Sequence, residues 1–450
     1  MNRFLILFFA FAISLMVGCS SDKEEQAPLS IDQNLEALLK SHSQTGEVSF
    51  YVMPSSNDFA NIPNQDPKNP ITYPKVALGN SLFFETGIGM AAKKSESMAT
   101  YSCSTCHVPE VGFTAGRFQG IADGGVGFGY HGEKRLINNH YEGHEVDAQG
   151  ARPLPVINLA YVKNALWNGS FGSTGMNVGT ESVWGVADSL TLINRENREG
   201  LEAAITRALT VHRQVINKKM IEDLGYKGLF DNAFADVPES QRYTPQNASH
   251  AIAAYFRTIL TNQAPFQEWL RGNKSAMTEK QKRGAVLFFD KAGCVNCHNS
   301  PSLNGQRFAA IGVKDLDQSD YLVYKTNDGR SKGRASFTLK DEDLYRFKVP
   351  ELYNLKDVGF YFHGASKRSL REVVEYFNQG QPENSRVESK RIDGLFRPLN
   401  LTDSEVADLT EFLSNGLFDP NMLRYKPIHT NSGNCFPNAD PSSMIDLGCN

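Results

Sequence analysis

The chain has little net charge, little tryptophan and an N-terminal apolar run that is short for a membrane span. Its 46 Lys and Arg residues nearly balance 50 Asp and Glu residues, and the resulting net charge of −4 gives no indication of nucleic-acid binding. The apolar run from Phe4 to Val17 is too short to cross a bilayer comfortably. Only three tryptophans and seven cysteines occur in 450 residues, a length that allows two or three domains.

Four of the seven cysteines lie in a five-residue pattern that occurs twice. It reads Cys103-Ser104-Thr105-Cys106-His107 and again Cys294-Val295-Asn296-Cys297-His298. C-x-x-C-H is typical of c-type haem, in which both thiols bond to the haem and the histidine supplies the proximal ligand. Zinc or a redox dithiol is the alternative, but such a zinc site closes with a second pair at a set spacing, and no other C-x-x-C pair exists. The sequence predicts two covalently bound haem c groups, with His107 and His298 as iron ligands and Cys103, Cys106, Cys294 and Cys297 as attachment points.

The N-terminus is typical of an export signal. A basic start precedes the apolar run, which ends in Leu15-Met16-Val17-Gly18-Cys19. This resembles a bacterial lipobox, in which residues 1–18 are removed and Cys19 receives lipid; ordinary signal cleavage near Cys19 is the alternative. Because Ser20 follows the cysteine, we expect a periplasmic lipoprotein held at the outer membrane. Residues 19–70 are polar and are predicted to be a tether with an irregular lead-in.

The two remaining cysteines, Cys435 and Cys449, lie in a tail, residues 421–450, that is rich in Pro, Asn and Ser. In an oxidising export compartment we expect them to form a disulfide, with two free thiols as the alternative. The tail is therefore predicted to wrap the surface, fixed by this bridge.

A helical repeat surrounds the two motifs. Leu78-Gly79 with Leu82-Phe83-Phe84 precedes the first motif, and Gly284 with Leu287-Phe288-Phe289 precedes the second. Thr244-Pro245 and the capping box Thr402-Asp403-Ser404-Glu405 predict the helices that close the two units. The predicted fold is mainly α, with two cytochrome c-like haem domains in tandem, residues 71–270 and 275–420, carrying long irregular insertions. An electron carrier does not need such insertions, whereas an enzyme uses them to build a pocket.

Three further segments carry a family resemblance. They are Arg152-Pro153-Leu154-Pro155-Val156-Ile157-Asn158-Leu159-Ala160-Tyr161 with Leu166-Trp167-Asn168-Gly169, Phe347-Lys348-Val349-Pro350-Glu351-Leu352-Tyr353-Asn354 with Phe360-Tyr361-Phe362-His363-Gly364, and Ser369-Leu370-Arg371-Glu372-Val373-Val374-Glu375-Tyr376. With both motifs, these resemble the bacterial di-haem cytochrome c peroxidase/MauG superfamily over roughly residues 75 to 415. The resemblance implies that the N-terminal haem reacts with peroxide and the C-terminal haem handles electrons. It also implies that Trp167 lies between them, although a tryptophan packing a domain interface is the alternative.

The sequence departs from the family on the reactive side of the first haem. The resemblance implies a removable histidine ligand, for which His144 is the candidate; His131 and His140 share its Gly-rich loop, and a surface histidine is the alternative. O–O cleavage also needs a group that moves a proton between the peroxide oxygens. The family uses a glutamate, but the matching region here offers His212, with Glu202 as the second candidate; an ordinary helix-surface role is the alternative for both.

Two further family sites are altered. The resemblance implies that the sixth ligand of the C-terminal haem is methionine in peroxidases and tyrosine in MauG-type enzymes. This chain has Phe377 at that position, and phenylalanine cannot ligate iron. Either Tyr376 is the ligand instead, or another group is, or the iron has five ligands. The resemblance also implies a calcium ion held by carbonyl groups at Val358 and Phe360 and by an asparagine side chain. Arg152 stands at the asparagine position and cannot ligate a cation, so calcium is only weakly indicated.

Three functional hypotheses follow. The first is a peroxidase that reduces hydrogen peroxide to water with electrons from a small soluble donor, a cytochrome c or a cupredoxin. The second is a MauG-like oxidase that modifies a partner protein, which the absence of methionine at position 377 favours. The third is a non-catalytic multihaem electron carrier or redox sensor. The resemblance also leaves a homodimer open.

Overall fold

The computed structural model describes residues 29–319 and 329–449 of the chain. Thirteen α-helices in these ranges are connected by 3₁₀ turns and irregular loops, so the expectation of a mainly helical protein is confirmed. They are α1 Ile31–His42, α2 Tyr73–Phe84, α3 Gly200–Val211, α4 Lys218–Asp223, α5 Lys227–Ala233, α6 Glu239–Arg242, α7 Pro245–Thr258, α8 Pro265–Leu270, α9 Glu279–Phe289, α10 Ala335–Thr338, α11 Leu370–Gln379, α12 Asp403–Glu411 and α13 Pro441–Leu447.

Strands are few and short in the described ranges. Strand β1, Gly125–Val126, pairs antiparallel with β2, Leu136–Ile137, inside the insertion that follows the first motif. Strand β3, Phe308–Ala309, pairs antiparallel with β4, Phe347–Lys348, and so closes the insertion that follows the second motif.

The helical repeat predicted around the motifs is present. Helix α2 crosses α7 where Gly79 faces the Ala251 carbonyl, and α9 crosses α12 where Gly284 faces the Asp408 carbonyl. A Cβ atom added at either glycine would lie 2.0 or 2.1 Å from that carbonyl oxygen, so only glycine allows these crossings. The closing helices begin as predicted, at the caps Thr244 and Thr402.

The lead-in is more ordered than the sequence interpretation expected. Helix α1 begins with a capping box between Ser30 and Gln33, and it buries Leu35 and Leu39 in one hydrophobic core with α9. The indole N–H of Trp269 donates to Asp32 at 2.7 Å. The prediction of an irregular lead-in is therefore wrong for α1, because two leucines four residues apart suffice once a partner surface exists.

The C-terminal tail packs against the N-terminal half of the chain. The disulfide between Cys435 and Cys449 is present, which confirms that prediction. Asp440 forms a buried ion pair with Arg135 at 3.3 Å. The Pro437 carbonyl accepts hydrogen bonds from Ser102 and Thr105, which flank Cys103.

The predicted signal peptide and the lipidated Cys19 lie outside the described residues. Within those that are described, no helix is long and apolar enough to cross a membrane.

Candidate active site

Both C-x-x-C-H motifs fold into the same local structure. A 3₁₀ turn spans Cys103–Thr105 in the first and Cys294–Asn296 in the second. The His107 amide then donates to the Cys103 carbonyl at 3.2 Å, and the His298 amide donates to the Cys294 carbonyl at 2.9 Å. This turn holds the two thiols and the histidine of each motif close together, as thioether attachment beside a ligated iron requires.

The two motif histidines are prepared as neutral ligands. Nδ1 of His107 lies 3.1 Å from the Phe113 carbonyl, and Nδ1 of His298 lies 2.7 Å from the Leu303 carbonyl. Since a carbonyl only accepts, Nδ1 carries the proton and Nε2 keeps its lone pair for a metal. Burial lowers the pKa of both imidazoles to about 4, which keeps them neutral at physiological pH.

A large apolar cavity opens in front of the second motif. Its empty space amounts to about 1750 Å³ when the part open to solvent is included. Cys294, Cys297 and His298 all lie on its wall, so the donor set fits a covalently attached haem. The rest of the wall is mainly hydrocarbon, contributed among others by Phe288, Val349, Leu352, Val374, Leu409 and Leu413.

The structure does not direct Tyr376, the candidate sixth ligand of this haem, into the cavity. Phe377 lies on the cavity wall, whereas Tyr376 is not among the residues that line it. The Tyr376 hydroxyl donates to the Ile311 carbonyl at 2.6 Å, and its ring packs in a small separate cluster with Val313 and Phe396. One residue corresponds to about 100° around a helix, which separates the two side chains. None of the described residues on the wall is a methionine.

Trp167 lies on the wall of the same cavity and is fixed at both ends. Its indole N–H donates to the Arg152 carbonyl at 2.7 Å, and its own carbonyl accepts from the Lys348 amide at 2.8 Å. Its ring meets the His363 ring edge-on at 6.0 Å. The Arg152 side chain in turn contacts the loop after the first motif, through the Ala115 carbonyl. Trp167 is therefore connected to both haem-attachment regions.

His212 lies next to the first motif and is paired with a carboxylate. Its Nδ1 is 2.7 Å from Oδ2 of Asp147, a residue that is 6% exposed. Gln214, two residues after His212, contacts Cys103 Sγ with its side chain at 3.6 Å. The segment that carries His212 therefore lies against a haem-attachment cysteine of the first motif. The carboxylate holds the Nδ1 proton, which leaves Nε2 of His212 as the nitrogen able to accept one.

The charge of Asp147 sets the protonation of His212. Burial acts to lower the pKa of His212, but the negative charge and hydrogen bond of Asp147 outweigh it and raise the pKa above its ordinary value. Arg330 and Arg213 oppose this rise without cancelling it. Asp147 itself keeps a lowered pKa: burial would raise it, but His212 and then Arg213 stabilise its ionised form.

Glu202, the second candidate for moving a proton, is paired with Arg257. Its carboxylate accepts two hydrogen bonds from Arg257, at 2.5 and 2.8 Å, and a third from Asn69 at 2.9 Å. Side-chain exposures of 1% for Glu202 and 2% for Arg257 make this a buried structural ion pair. Held by three donors and almost fully buried, Glu202 is not free to move a proton, so the structure does not support its candidate catalytic role.

The loop histidines all lie at the surface. His131, His140 and His144 are exposed, and His140 contacts Glu96 at 2.8 Å. A histidine that ligates the first haem would be buried beside the first motif. His144 is instead exposed.

Several ionisable groups at the second cavity were missed by sequence reasoning. Burial lowers the pKa of Lys348 to about 7 and raises that of Glu351 to about 8. His363 stacks on Phe347 at 3.6 Å and contacts Asp315 at 3.0 Å through Nε2. Lys348, Glu351 and His363 lie inside the segments that carry the family resemblance, so that resemblance was the available signal. For Asp147 there was no such signal.

Comparison with known proteins finds a matching family model and similar sequences. The family model described as di-haem cytochrome c peroxidase matches residues 73–275. The chain is 29% identical over 367 residues to cytochrome-c peroxidase IdrP1 of Denitromonas iodatirespirans, which covers 77% of this chain and 82% of the relative. It is 27% identical over 358 residues to methylamine utilization protein MauG of Methylorubrum extorquens. This alignment covers 79% of this chain and 81% of the relative.

A solved structure has a similar fold. The crystal structure of a MauG-like protein associated with microbial copper homeostasis aligns with a TM-score of 0.54 at 21% identity, covering 86% of this chain and 97% of that one. Membership of this family implies two c-type haems. From the paired motifs, the shared fold and these relatives we conclude that the chain belongs to the bacterial di-haem cytochrome c peroxidase/MauG superfamily and is an oxidoreductase of the peroxidase type.

Proposed function

We propose that this protein reduces hydrogen peroxide to water with electrons from a small soluble protein, a cytochrome c or a cupredoxin. One haem c is attached at each motif, in two tandem cytochrome c-like units. The observation that carries the proposal is the pair formed by His212 and Asp147 beside the first motif. A peroxidase needs a proton-moving group at this position, whereas an electron carrier does not.

The haem iron supplies the redox chemistry of O–O cleavage, and the chain supplies the proton transfer. The overall reaction consumes one peroxide, two electrons and two protons and yields two waters. His107, whose Nδ1 faces the Phe113 carbonyl, would ligate the reactive iron through Nε2. His212 would act as the acid–base group: its Nε2 would take a proton from one peroxide oxygen and deliver it to the other, which would leave as water. Asp147 stabilises the imidazolium that exists between these two steps.

The second unit acts as the electron entry. His298 would ligate its iron, and the mainly apolar cavity wall would keep water away from a bound haem. Trp167 couples the two units, since its indole and backbone are held by residues that contact both. Lys348, whose side-chain nitrogen donates to the Asn164 carbonyl at 3.0 Å, lies on the same cavity wall.

The test is peroxide turnover by the haem-loaded protein with reduced cytochrome c. We expect two donor molecules oxidised per peroxide. His212→Ala should slow turnover about 10²- to 10⁴-fold, the usual contribution of a general acid–base group. His140→Ala, which removes an exposed histidine, is the matched control and should leave turnover unchanged. Equal turnover in the His212→Ala variant would remove this residue from the mechanism.

A MauG-like oxidase is the second candidate, and Phe377 on the cavity wall favours it. Without methionine as sixth ligand, the second haem has a lower potential and accepts electrons from peroxidase donors poorly. If peroxide-treated protein retains its two oxidising equivalents in the presence of several donors, the substrate is a partner protein. Fast consumption by a donor would instead support the peroxidase.

We further propose that the protein works in the periplasm, anchored by lipid on Cys19. The disulfide between Cys435 and Cys449 supports an oxidising compartment. Metabolic labelling with a radioactive fatty acid should label the wild type and not a Cys19→Ser variant. Labelling of both proteins would contradict the anchor.

A further inference from the structure

Arg152 carries a buried positive charge between the two haem-attachment regions. The residue is 3% exposed, and its guanidinium donates to the Arg117 carbonyl at 2.6 Å and to the Ala115 carbonyl at 2.7 Å. Both acceptors lie in the loop that follows the first motif. The guanidinium also lies over the Phe360 ring, with 5.3 Å between Cζ and the ring centroid.

No carboxylate neutralises this charge within the described ranges. Burial lowers the pKa of Arg152 to about 9, and the neighbouring cation Arg368 contributes to that shift, so the side chain remains protonated at neutral pH. A buried charge without a counterion is costly unless dipoles solvate it. Here the carbonyl oxygens do so, and carbonyl oxygens pointing at one buried positive charge are also the usual ligands of calcium.

Arg152 stands at the asparagine position of the calcium site that the family resemblance implies. That site would use a side chain at position 152 and the carbonyls of Val358 and Phe360, and the Arg152 guanidinium lies over the ring of the same Phe360. The residues present therefore do not fit calcium, since the position of its asparagine ligand holds a cation.

The backbone of Arg152 extends the connection to the second cavity. Its amide donates to the His363 carbonyl at 2.8 Å, and its carbonyl accepts the Trp167 indole N–H. One residue thus joins the loop after the first motif, the tryptophan and the wall of the second haem cavity. A metal ion at this position would have to hold the same three segments together.

We propose that the Arg152 guanidinium is a built-in cation that replaces calcium between the two units, so that the protein needs no divalent metal. Arg152 is a positioning residue: it holds the loop at Ala115 and the indole of Trp167 in place. The metal part of this proposal does not depend on the peroxidase reaction, because it concerns folding and metal content.

The first test uses the wild-type haem-loaded protein. After dialysis against calcium and then against metal-free buffer, elemental analysis should find iron at two per chain and calcium far below one per chain. Thermal melting in EGTA and in excess calcium should give the same midpoint. Stoichiometric calcium, or a midpoint that falls in EGTA and recovers with calcium, would overturn the proposal.

The second test compares two variants at the same position. Arg152→Asn provides an oxygen ligand, whereas Arg152→Met matches the length without charge or oxygen. Both should melt below the wild type. Calcium should raise the midpoint of Arg152→Asn in a concentration-dependent way, magnesium should do so less, and Arg152→Met should respond to neither. A merely structural arginine would leave both variants insensitive to calcium, and that result would refute the replacement. If neither variant folds, the wild-type measurements still decide.

Discussion

Replacing Glu202 by glutamine would test whether this residue is structural. The substitution keeps the shape of the side chain and removes its charge. Both guanidinium nitrogens of Arg257 that now contact the carboxylate would face a neutral amide, one of whose ends is itself a donor. Asn69 would lose a charged acceptor at the same time.

The expected cost follows from burial. Since both partners are almost completely buried, removing one charge leaves the other uncompensated, which costs about 3–5 kcal/mol of the free energy of unfolding. For a unit of the predicted size of 71–270, this corresponds to a fall in melting temperature of about 6–20 °C. The peroxide turnover of the fraction that stays folded should be unchanged, because the carboxylate has no proton to move.

Thermal or denaturant unfolding of the haem-loaded protein measures the first effect, and turnover at low temperature measures the second. Glu196→Gln, at an exposed position just before the same helix, is the control and should change stability by less than about 0.5 kcal/mol. A Glu202→Gln protein with wild-type stability and greatly reduced turnover would refute the structural assignment and restore Glu202 as the proton-moving group.

Three other predictions follow from the described contacts. Asp147→Asn removes the carboxylate that raises the pKa of His212, so that pKa should fall and the acidic limb of the turnover profile should move to lower pH; an unmoved limb would separate His212 from the profile. Gly284→Ala should lower stability by about 1–3 kcal/mol, because the added Cβ meets a carbonyl at 2.1 Å, whereas Gly228→Ala, with nothing within 4 Å, should be neutral or stabilising in the same denaturant titration. Replacing both Cys435 and Cys449 by serine opens a loop with a sequence separation of 14 and should cost about 3 kcal/mol in a non-reducing melt; no change would mean that packing alone holds the tail.

The sequence predicted those parts of the fold that depend on local patterns. The two haem motifs, the glycines of the helix crossings and the threonine caps each act within one turn or one crossing, and each is where the pattern indicated. The pairing of the last two cysteines followed from elimination. These features needed no knowledge of which segments meet in space.

Features that depend on distant contacts were missed. Helix α1 packs against a surface more than 200 residues away in the sequence, as the bond between Asp32 and Trp269 illustrates. Asp147 and His212 are 65 residues apart, so no spacing connects them. Tyr376 and Phe377 are neighbours whose directions are set by the packing of α11, which periodicity alone did not resolve.

Each half of the chain is completed by a segment from the opposite end of the sequence. Helix α1, near the start, packs with α9 in the second half, while the tail, at the very end, packs around Cys103 in the first half. During synthesis, the surroundings of the first motif therefore stay incomplete until the segment around Pro437 has been made. A gene cut between residues 270 and 275 would separate each half from a segment that completes it, so we expect the two halves to fold poorly apart and to recover only when they are produced together.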